Sequence, residues 1–288
     1  MFDGYAVFAV ETNGSQFRVL HRFGGGDGWN PIELVLAGST LYGSAIGGGL
    51  FGNGTLFSLN TDGTGFKRLH DFSTGSPIGR LILSGDVLYG TTSTNGDYGG
   101  FPGAIFSINT DGTGFTTLRD GIAHLSSLSI LSGNTLYGVA AYTGWPDRPY
   151  GEIFAINIDG TGFTTLFHFP REENNRIIDG LLHPNLVLLG NTFYGTTFPS
   201  AYSGTQGEVF SLSVAPKLAI IPSGTGITLT WPTNYAGFDY TGYTLQSADD
   251  LAPPVVWTNA SPAPIVIGGL NTVTNPIFGA QRFYRLVS

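Results

Sequence analysis

Apolar and polar residues alternate along short segments that recur through the first two thirds of this chain. The segments read VFAVETNGSQF from Val7, LFSLNTDGTGF from Leu56, IFSINTDGTGF from Ile105, IFAINIDGTGF from Ile153 and VFSLS from Val209. Their phenylalanines Phe8, Phe57, Phe106, Phe154 and Phe210 are 49, 49, 48 and 56 residues apart. Because alternation with a period of two is typical of a β-strand, the pattern predicts a tandem array of β-rich units.

One period contains four short strand-like segments separated by turn residues. In the second copy they are GRLILSG from Gly79, DVLYGTT from Asp86, AIFSINT from Ala104 and FTTLRDG from Phe115. The sequence TDGTG from Thr110 has the Asp and Gly composition of a tight hairpin with a glycine bulge. Each period therefore predicts one four-stranded antiparallel sheet.

The phenylalanine segments are apolar on both faces. Phe57 and Leu59 share one face, whereas Leu56 lies on the other face beside the small residue Ser58. A sheet of this kind must be covered on both sides, and radially stacked blades provide that cover. The sequence predicts an all-β fold in which residues 1–214 form a repeat β-propeller of about four blades, each of about four antiparallel strands.

A second motif, LYG, recurs with the same period and carries a family resemblance. Its tyrosines are predicted to pack between blades, and they are Tyr42, Tyr89 and Tyr137, with Tyr194 in the variant FYG. The versions LYGTT from Leu88, FYGTT from Phe193 and GTLF from Gly54 resemble the GloVer tandem repeats of large predicted cell-surface proteins. The resemblance covers residues 1–214. It implies an extracellular propeller-like module, and it offers no catalytic residues to carry over.

The strand count exceeds what a closed propeller of four blades needs. Two late strands, three full blades and three strands of a last blade make 17, where four blades need 16. Neither end segment carries the lysine or proline that guards an exposed edge. The candidate assembly residues are Tyr5, Val7, Phe8, Val10, Val209, Phe210 and Leu212. The leading hypothesis is a non-enzymatic extracellular structural protein that self-associates by strand pairing, as a subunit of a fibre or surface layer.

Residues 215–288 abandon the repeat and predict a second domain. Short alternating segments occur at ITLTW from Ile227, YTLQSA from Tyr243, VVWTNA from Val255, APIVIGG from Ala263 and FYRLVS from Phe283. Their Pro and Gly turns indicate a small immunoglobulin-like or fibronectin-like β-sandwich, with Trp231 and Trp257 in its core. The ending resembles C-terminal FYRL modules of bacterial surface proteins.

Composition restricts the partners. Charged residues form only 11% of the chain, and 12 Lys plus Arg against 20 Asp plus Glu give a net charge of -8. So few cations argue against nucleic acid as a partner. No apolar run approaches the roughly 18 residues of a membrane helix, so we expect no membrane insertion. The absence of cysteine excludes disulfides and thiolate chemistry.

The histidines do not form a recurring metal set. His21 and His70 occupy one repeat position, but the third and fourth copies have Arg119 and Phe167 there. The position is therefore interpreted as a polar site on an outer strand. The DGTG turns lack the alternating carboxylates that calcium requires. We expect no metal and no cofactor.

Two other functions remain open. Aromatic residues in glycine-rich loops could stack on sugar rings of a carbohydrate ligand, and the candidates are Trp29, Tyr98 and Trp145. Aspartates in the same kind of loop, Asp27, Asp97 and Asp147, keep open a propeller glycosidase or lyase with paired carboxylates. Three sequons make Asn13, Asn53 and Asn259 candidates for glycosylation.

Overall fold

The computed structural model describes residues 4–93, 102–141, 151–169, 185–197, 207–276 and 281–288. All regular secondary structure in these ranges is β-strand. Within them we find no helix of the length and apolarity that a membrane crossing requires. The chain divides into two compact units, of which unit 1 is Met1–Leu189 with Phe193–Leu212 and unit 2 is Gly190–Thr192 with Ser213–Ser288.

Strands β1 to β17 build the repeat array. They are β1 (Ala6–Ala9), β2 (Arg18–Arg22), β3 (Trp29–Ala37), β4 (Thr40–Gly47), β5 (Thr55–Asn60), β6 (Lys67–Asp71), β7 (Ser76–Ser84), β8 (Val87–Ser93), β9 (Pro102–Asn109), β10 (Thr116–Ala123), β11 (Leu125–Ser132), β12 (Thr135–Ala141), β13 (Gly151–Asn157), β14 (Thr164–His168), β15 (Val187–Leu189), β16 (Thr192–Thr196) and β17 (Val209–Ser213). The four strands predicted for the second copy correspond to β7, β8, β9 and β10.

These strands form antiparallel sheets in chain order. Blade 1 has the order β3-β4-β5-β6, blade 2 is β7 to β10 and blade 3 is β11 to β14. The first strands of blades 2 and 3 touch at the pair Leu128↔Arg80. A first sheet of only two strands, β1-β2, precedes blade 1, and a last sheet, β15-β16-β17, follows blade 3. The predicted all-β, propeller-type fold is confirmed, whereas the number of blades stays a prediction.

Neighbouring blades pack face to face through the apolar residues predicted for both faces of the third strands. Between blades 1 and 2, Leu56 meets Phe106 and Ile108 in one cluster. Between blades 2 and 3, Ile105 meets Phe154 in the next cluster. The first sheet repeats the pattern, because its Val7 packs against blade 1. Each sheet thus uses one face on the preceding sheet and the other on the following sheet.

The glycine of the LYG motif lies beneath the phenylalanine of the adjacent strand. Gly43 pairs with Phe57 across β4 and β5, and a Cβ at Gly43 would collide with the phenyl ring. The same relation joins Gly90 to Phe106 and Gly138 to Phe154. Glycine is therefore required here by the close approach of a ring within one blade.

The two ends of the array are incompletely covered. Of the predicted assembly residues, Val7 is 4% exposed, whereas Phe8 is 57% exposed and Val209 is 81% exposed. Tyr5 and Val10 are also exposed. Phe210 and Leu212 are half-buried, and Phe210 makes an edge-on contact with Phe169 at 5.1 Å between ring centres. Among the described residues, seventeen strands belong to the array, as counted from the sequence.

Unit 2 contains two further sheets and a short hairpin. Its strands are β18 (Ala219–Ser223), β19 (Gly226–Pro232), β20 (Asn234–Tyr235), β21 (Phe238–Asp239), β22 (Thr244–Ala248), β23 (Thr258–Asn259), β24 (Ile265–Ile267), β25 (Leu270–Pro276) and β26 (Phe283–Val287). One sheet has the order β18-β19-β25-β24 and the other the order β23-β22-β26.

The two sheets of unit 2 share one apolar core. Leu229, Trp231 and Val273 of the first sheet pack against Leu245 of the second. Trp231 is fully buried, as predicted. Trp257 differs from the prediction, because it is only half-buried and lies under the guanidinium of Arg285, 4.3 Å from the ring centre.

Candidate functional site

The two ends of each blade are built differently. At one end, called the turn end, short turns join the first strand to the second and the third to the fourth. The other end, called the loop end, holds the connections between second and third strands and between successive blades. In blade 1 the loop-end connection before β3 is residues 23–28, and the one between β4 and β5 is residues 48–54. Both segments are rich in glycine, and both belong to the described chain.

Trp29 begins β3 at the loop end and lies flat against the glycine backbone of the neighbouring strand. It pairs with Gly47 of β4. A Cβ at Gly47 would collide with the six-membered ring, and one at Gly48 would lie 3.0 Å from Cδ1 of the indole. One side of the indole covers these glycines, and the residue as a whole is 42% exposed.

Hydrogen bonds hold the two glycine-rich loops together. The amide of Gly49 donates to the carbonyl of Gly25 at 3.1 Å, and the amide of Gly54 donates to that of Gly48 at 3.0 Å. The buried hydroxyl of Thr55 donates to the carbonyl of Asp27 at 2.7 Å. The surface around Trp29 is therefore fixed by main-chain contacts.

Two pairs of charged or titratable residues lie beside these loops. Nε2 of His21 lies 3.2 Å from Oδ2 of Asp27. Arg68 donates from Nη1 to the carbonyl of Gly26 at 2.7 Å and to Oδ1 of Asp71 at 3.0 Å. Among the described residues, the hydrogen bonds to these carboxylates reach only Oδ2 of Asp27 and Oδ1 of Asp71. The other carboxylate oxygens can accept hydrogen bonds from a ligand.

The tip of the second loop carries two exposed apolar side chains. Leu50 is 71% exposed and Phe51 is 55% exposed. The amide of Leu50 donates to Oδ1 of Asp71 at 2.7 Å, which connects the loop tip to the charged pair. We call Trp29, Leu50, Phe51, Asp27 and Asp71 the loop-end site. It combines an aromatic face, apolar side chains and carboxylates on a braced backbone.

The repeated histidine position joins neighbouring blades. The imidazole of His21 stacks on Phe66 at 3.7 Å between ring centres, and that of His70 stacks on Phe115 at 3.9 Å. Burial lowers the pKa of His70, against the smaller opposing effect of the Asp71 carboxylate. In the third copy the Arg119 guanidinium lies over Phe163 at 4.5 Å from the ring centre. The sequence located this position on an outer strand, but the stacking partner was missed. That partner is the phenylalanine four residues before the same position in the next repeat, which is Phe66 for His21 and Phe115 for His70.

Of the three predicted sugar-stacking residues, one lies among the described residues. Trp29 lies at the loop-end site, whereas Tyr98 and Trp145 are outside the described residues, as are Asp97 and Asp147. In the described ranges no group of three His, Asp or Glu residues is arranged to hold a metal ion.

The three sequons occupy different settings. Asn13 is exposed, and its Oδ1 accepts hydrogen bonds from both the amide and the hydroxyl of Ser15. Asn259 is exposed in β23. Asn53 is half-buried and donates from Nδ2 to the carbonyl of Ser73 at 2.9 Å. The Asn53 sequon therefore has its reactive amide engaged within the fold.

Comparison with known proteins leaves the family open and finds solved structures that resemble this chain at low sequence identity. No protein-family model matches the chain, and no curated protein matches it. The nidogen/laminin complex is 16% identical with a TM-score of 0.46, covering 78% of this chain and 80% of that chain. An oligogalacturonate lyase from Vibrio parahaemolyticus is 14% identical with a TM-score of 0.48, covering 73% and 55%. TolB from Acinetobacter baumannii is 14% identical with a TM-score of 0.42, covering 81% and 46%.

These neighbours are propeller-type proteins, as expected from the stacked blades. The chain spans about half the length of the lyase and TolB chains that it matches. The resemblance to GloVer repeats stays an expectation, since neither the family models nor the structures bear on it.

The hypothesis of a self-associating fibre subunit is wrong. The structures of similar fold include oligogalacturonate lyases, and they do not support a fibre. The physical reason lies in the step from an open strand edge to a function. Such an edge offers main-chain donors and acceptors that any extended segment can pair with, so it does not single out a copy of the same chain.

Proposed function

We propose that this protein is a non-enzymatic, extracellular carbohydrate-binding module, and that the loop-end site of blade 1 holds the sugar. The observation that carries the proposal is the indole of Trp29, which rests on Gly47 and Gly48 and is 42% exposed. An aromatic ring that is already fixed on one side loses little conformational freedom when a ligand covers the other side.

The residues around Trp29 suit the two kinds of surface that a sugar presents. The apolar C–H face of a pyranose ring can stack on the indole, and its hydroxyl groups can donate to carboxylates at the margin of the ring. Asp27 and Asp71 supply such acceptors, and both are held by hydrogen bonds to the loops. Because these carboxylates repel anions, we expect neutral sugars to be favoured over uronates or sulfated sugars.

The two carboxylates also anchor the backbone, which supports binding over catalysis. Asp71 accepts from the amide of Leu50, and Asp27 lies 3.5 Å from the amide of Gly24. A carboxylate that fixes a loop through hydrogen bonds orients the binding surface. The role proposed for both residues is therefore to shape the site and to accept ligand hydroxyls.

A glycan array followed by isothermal titration tests the proposal. The wild-type protein is expected to bind a neutral glycan saturably. Trp29→Ala should weaken this binding by roughly tenfold to a hundredfold, since a stacked aromatic contributes about 1–3 kcal/mol. The matched control is Phe17→Ala, which removes an exposed aromatic residue, 64% exposed, at the turn end.

Two results would contradict the proposal. One is an array without saturable binding by the wild-type protein. The other is equal weakening by Trp29→Ala and Phe17→Ala, because that would show a general loss of folded protein. Turnover of a glycan by the wild-type protein would replace the binding function with an enzymatic one.

A further inference from the structure

The first turn of the array carries asparagine where the other DGTG turns carry aspartate. The sequence TNGS of the first copy aligns with TDGT of the second, so Asn13 takes the place of Asp62. The third and fourth copies also have aspartate at this position, as Asp111 and Asp159. Asn13 is followed by glycine, which has no side chain to hinder the approach of its nitrogen to the preceding carboxamide.

The first turn has the same hydrogen bonds as an aspartate turn. Oδ1 of Asn13 accepts from the amide of Ser15 at 2.9 Å and from its hydroxyl at 2.7 Å. In the second copy, Oδ1 of Asp62 accepts from the amide of Thr64 at 2.8 Å and from its hydroxyl at 2.7 Å. In both turns the amide of the glycine donates to the main-chain carbonyl three residues earlier. An aspartate at position 13 would therefore find its donors already in place.

The two donors on Oδ1 activate the carboxamide carbon of Asn13. When a nitrogen attacks Cγ, negative charge develops on Oδ1, and donors already placed there stabilise that charge. The attacking nitrogen is the main-chain nitrogen of Gly14, in the same turn. Residues 11–19 are all exposed, and a Cβ on Gly14 would meet no other atom within 4 Å. The hydrogen bond that Gly14 donates can therefore open without disturbing a packed neighbour.

A second Asn-Gly pair in the chain has the opposite setting. Asn53 is half-buried, and its Nδ2, the group that would leave, donates to the carbonyl of Ser73 at 2.9 Å. Gly54 is buried, and a Cβ there would collide with the carbonyl oxygen of Ala45. Closure of a ring between Cγ of Asn53 and the nitrogen of Gly54 would have to break these contacts. The two pairs thus form a matched comparison within one chain.

We propose that Asn13 is a modification site, at which the protein converts its own asparagine to aspartate through a succinimide, with water as the co-reactant. The nitrogen of Gly14 forms a bond to Cγ of Asn13, and the carboxamide nitrogen takes up the proton of Gly14 and leaves as ammonia. Water then adds to Cγ and breaks the new bond, which returns a proton to the nitrogen of Gly14. Ammonia accepts the remaining acidic proton, and a carboxylate is left at position 13.

The donors from Ser15 favour aspartate over isoaspartate, the product of water attack on the main-chain carbonyl of residue 13. They polarise the carbonyl at Cγ, and they make stronger hydrogen bonds to a carboxylate than to a carboxamide. Isoaspartate would lengthen the main chain by one methylene and displace the amide of Gly14 from the carbonyl of Glu11. The first turn thereby acquires the residue that the other three encode. The site lies at the turn end and does not depend on the proposed sugar binding.

Peptide mapping by mass spectrometry tests the proposal on the intact protein. The Asn-Gly pairs at Asn13, Asn53 and Asn95 fall in separate tryptic peptides, which are residues 1–18, 23–67 and 81–119. During incubation at neutral pH in water enriched in heavy oxygen, Asn13 should convert roughly tenfold faster than Asn53. The product should carry oxygen from the water and include both aspartate and isoaspartate. In urea the two rates should converge, and the share of isoaspartate at position 13 should rise.

Variants of Ser15 separate the contribution of the hydroxyl from that of the Asn-Gly sequence. Ser15→Ala should slow conversion of Asn13 in the folded protein by roughly twofold to tenfold, because one donor to Oδ1 is lost. Ser15→Thr keeps the hydroxyl and should retain the wild-type rate. In urea all three proteins should convert Asn13 at similar rates.

Three results would overturn the proposal. The first is equal conversion of Asn13 and Asn53 in the folded protein. The second is a Ser15→Ala variant that converts as fast as the wild-type protein. The third is a share of isoaspartate that is the same in the folded protein as in urea, because that would show that the turn does not direct the attack of water.

Discussion

The turn end and the loop end of the same blades differ in the hydrogen bonds that hold them. At the turn end, Asp62 accepts from the amide of Thr64 at 2.8 Å and from its hydroxyl at 2.7 Å, and Asn60 donates to the same hydroxyl at 3.0 Å. The turns centred on Asp111 and Asp159 repeat this network. At the loop end of blade 1, the bonds around Trp29 hold loops whose sequence does not repeat, and the corresponding loops between the second and third strands of blades 2 and 3 lie outside the described residues.

Contacts between blades explain why the turn end is constant. A Cβ at Gly63 would lie 3.1 Å from the carbonyl oxygen of Leu20 in the preceding sheet. Arg18 of that sheet donates to the carbonyls of Thr61 and Asp62. Every turn must therefore fit the strand before it, whereas the loops of blade 1 are held mainly from within. The comparison teaches that the turn end, whose sequence repeats, assembles the array, whereas the proposed ligand site lies at the loop end, whose sequence varies from blade to blade.

The largest expected effect comes from a ring that joins two blades. Phe106 is buried and contacts Phe72 at 5.4 Å and Phe115 at 5.5 Å between ring centres. Phe106→Ala should lower the free energy of unfolding by about 3–5 kcal/mol, because it leaves a cavity between blades. Urea denaturation measures the change. Phe17→Ala should cost less than about 1 kcal/mol, and equal costs would refute the packing argument.

A smaller effect is expected from the turn glycines. Gly112 has φ of 92°, and a Cβ there would lie 2.9 Å from the carbonyl oxygen of Leu69. Gly52 at the loop end has φ of 82° with open space around it. Gly112→Ala should therefore cost about 2–3 kcal/mol, and Gly52→Ala about 1 kcal/mol. Equal midpoints of thermal denaturation for the two variants would contradict the larger cost expected at Gly112.

Two neighbouring cations sharpen the contrast between the ends. Arg68 braces the loop-end site, whereas Lys67 donates to the carbonyl of Asp111 in the next turn at 2.7 Å. Arg68→Met should weaken glycan binding by roughly threefold to tenfold, since the carboxylate of Asp71 loses a charged partner. Lys67→Met should leave affinity unchanged. Titration calorimetry measures the glycan affinity of both variants. A greater loss of affinity in Lys67→Met than in Arg68→Met would count against the loop-end site.

The smallest effect is the pH dependence of the turns. Hydrogen bonds from Thr64 and Thr113 lower the pKa of Asp62 and Asp111 in the folded protein. A carboxyl whose pKa is lower in the folded than in the unfolded state stabilises the fold above its unfolded pKa of about 3.9, and this contribution is lost as the pH falls further. Replacing both residues by asparagine should flatten the acid limb of a stability profile. An unchanged limb would contradict the assignment.

The repeat made most of unit 1 predictable from sequence. Phenylalanine, LYG and DGTG each mark one position of the blade. The positions of Phe106, Gly90 and Gly112 in the sequence therefore predicted two strands and a turn to within a few residues. The faces were also predictable, because Leu56 and Phe57 fall into different clusters. A side chain that recurs every 49 residues reports contacts that recur with it.

What escaped prediction depends on contacts that occur once. The strand β25 was missed because its sequence LNTVTNP contains few apolar residues, yet it pairs with both β19 and β24. Trp257 was placed in the core, although its ring instead supports Arg285. At the loop-end site, the approach of Trp29 to Gly47 follows from the register of β3 and β4, which the alternation of residues does not specify.

The fit of each turn glycine against the strand before it has a genetic consequence. Each unit packs against its immediate neighbours, so duplication or deletion of one whole period would preserve the contacts at every junction between units. A one-residue change in a DGTG turn, in contrast, would disturb two units at once. Evolution of such a gene is therefore free to alter the number of units and the length of its loops, and it is constrained at the turns.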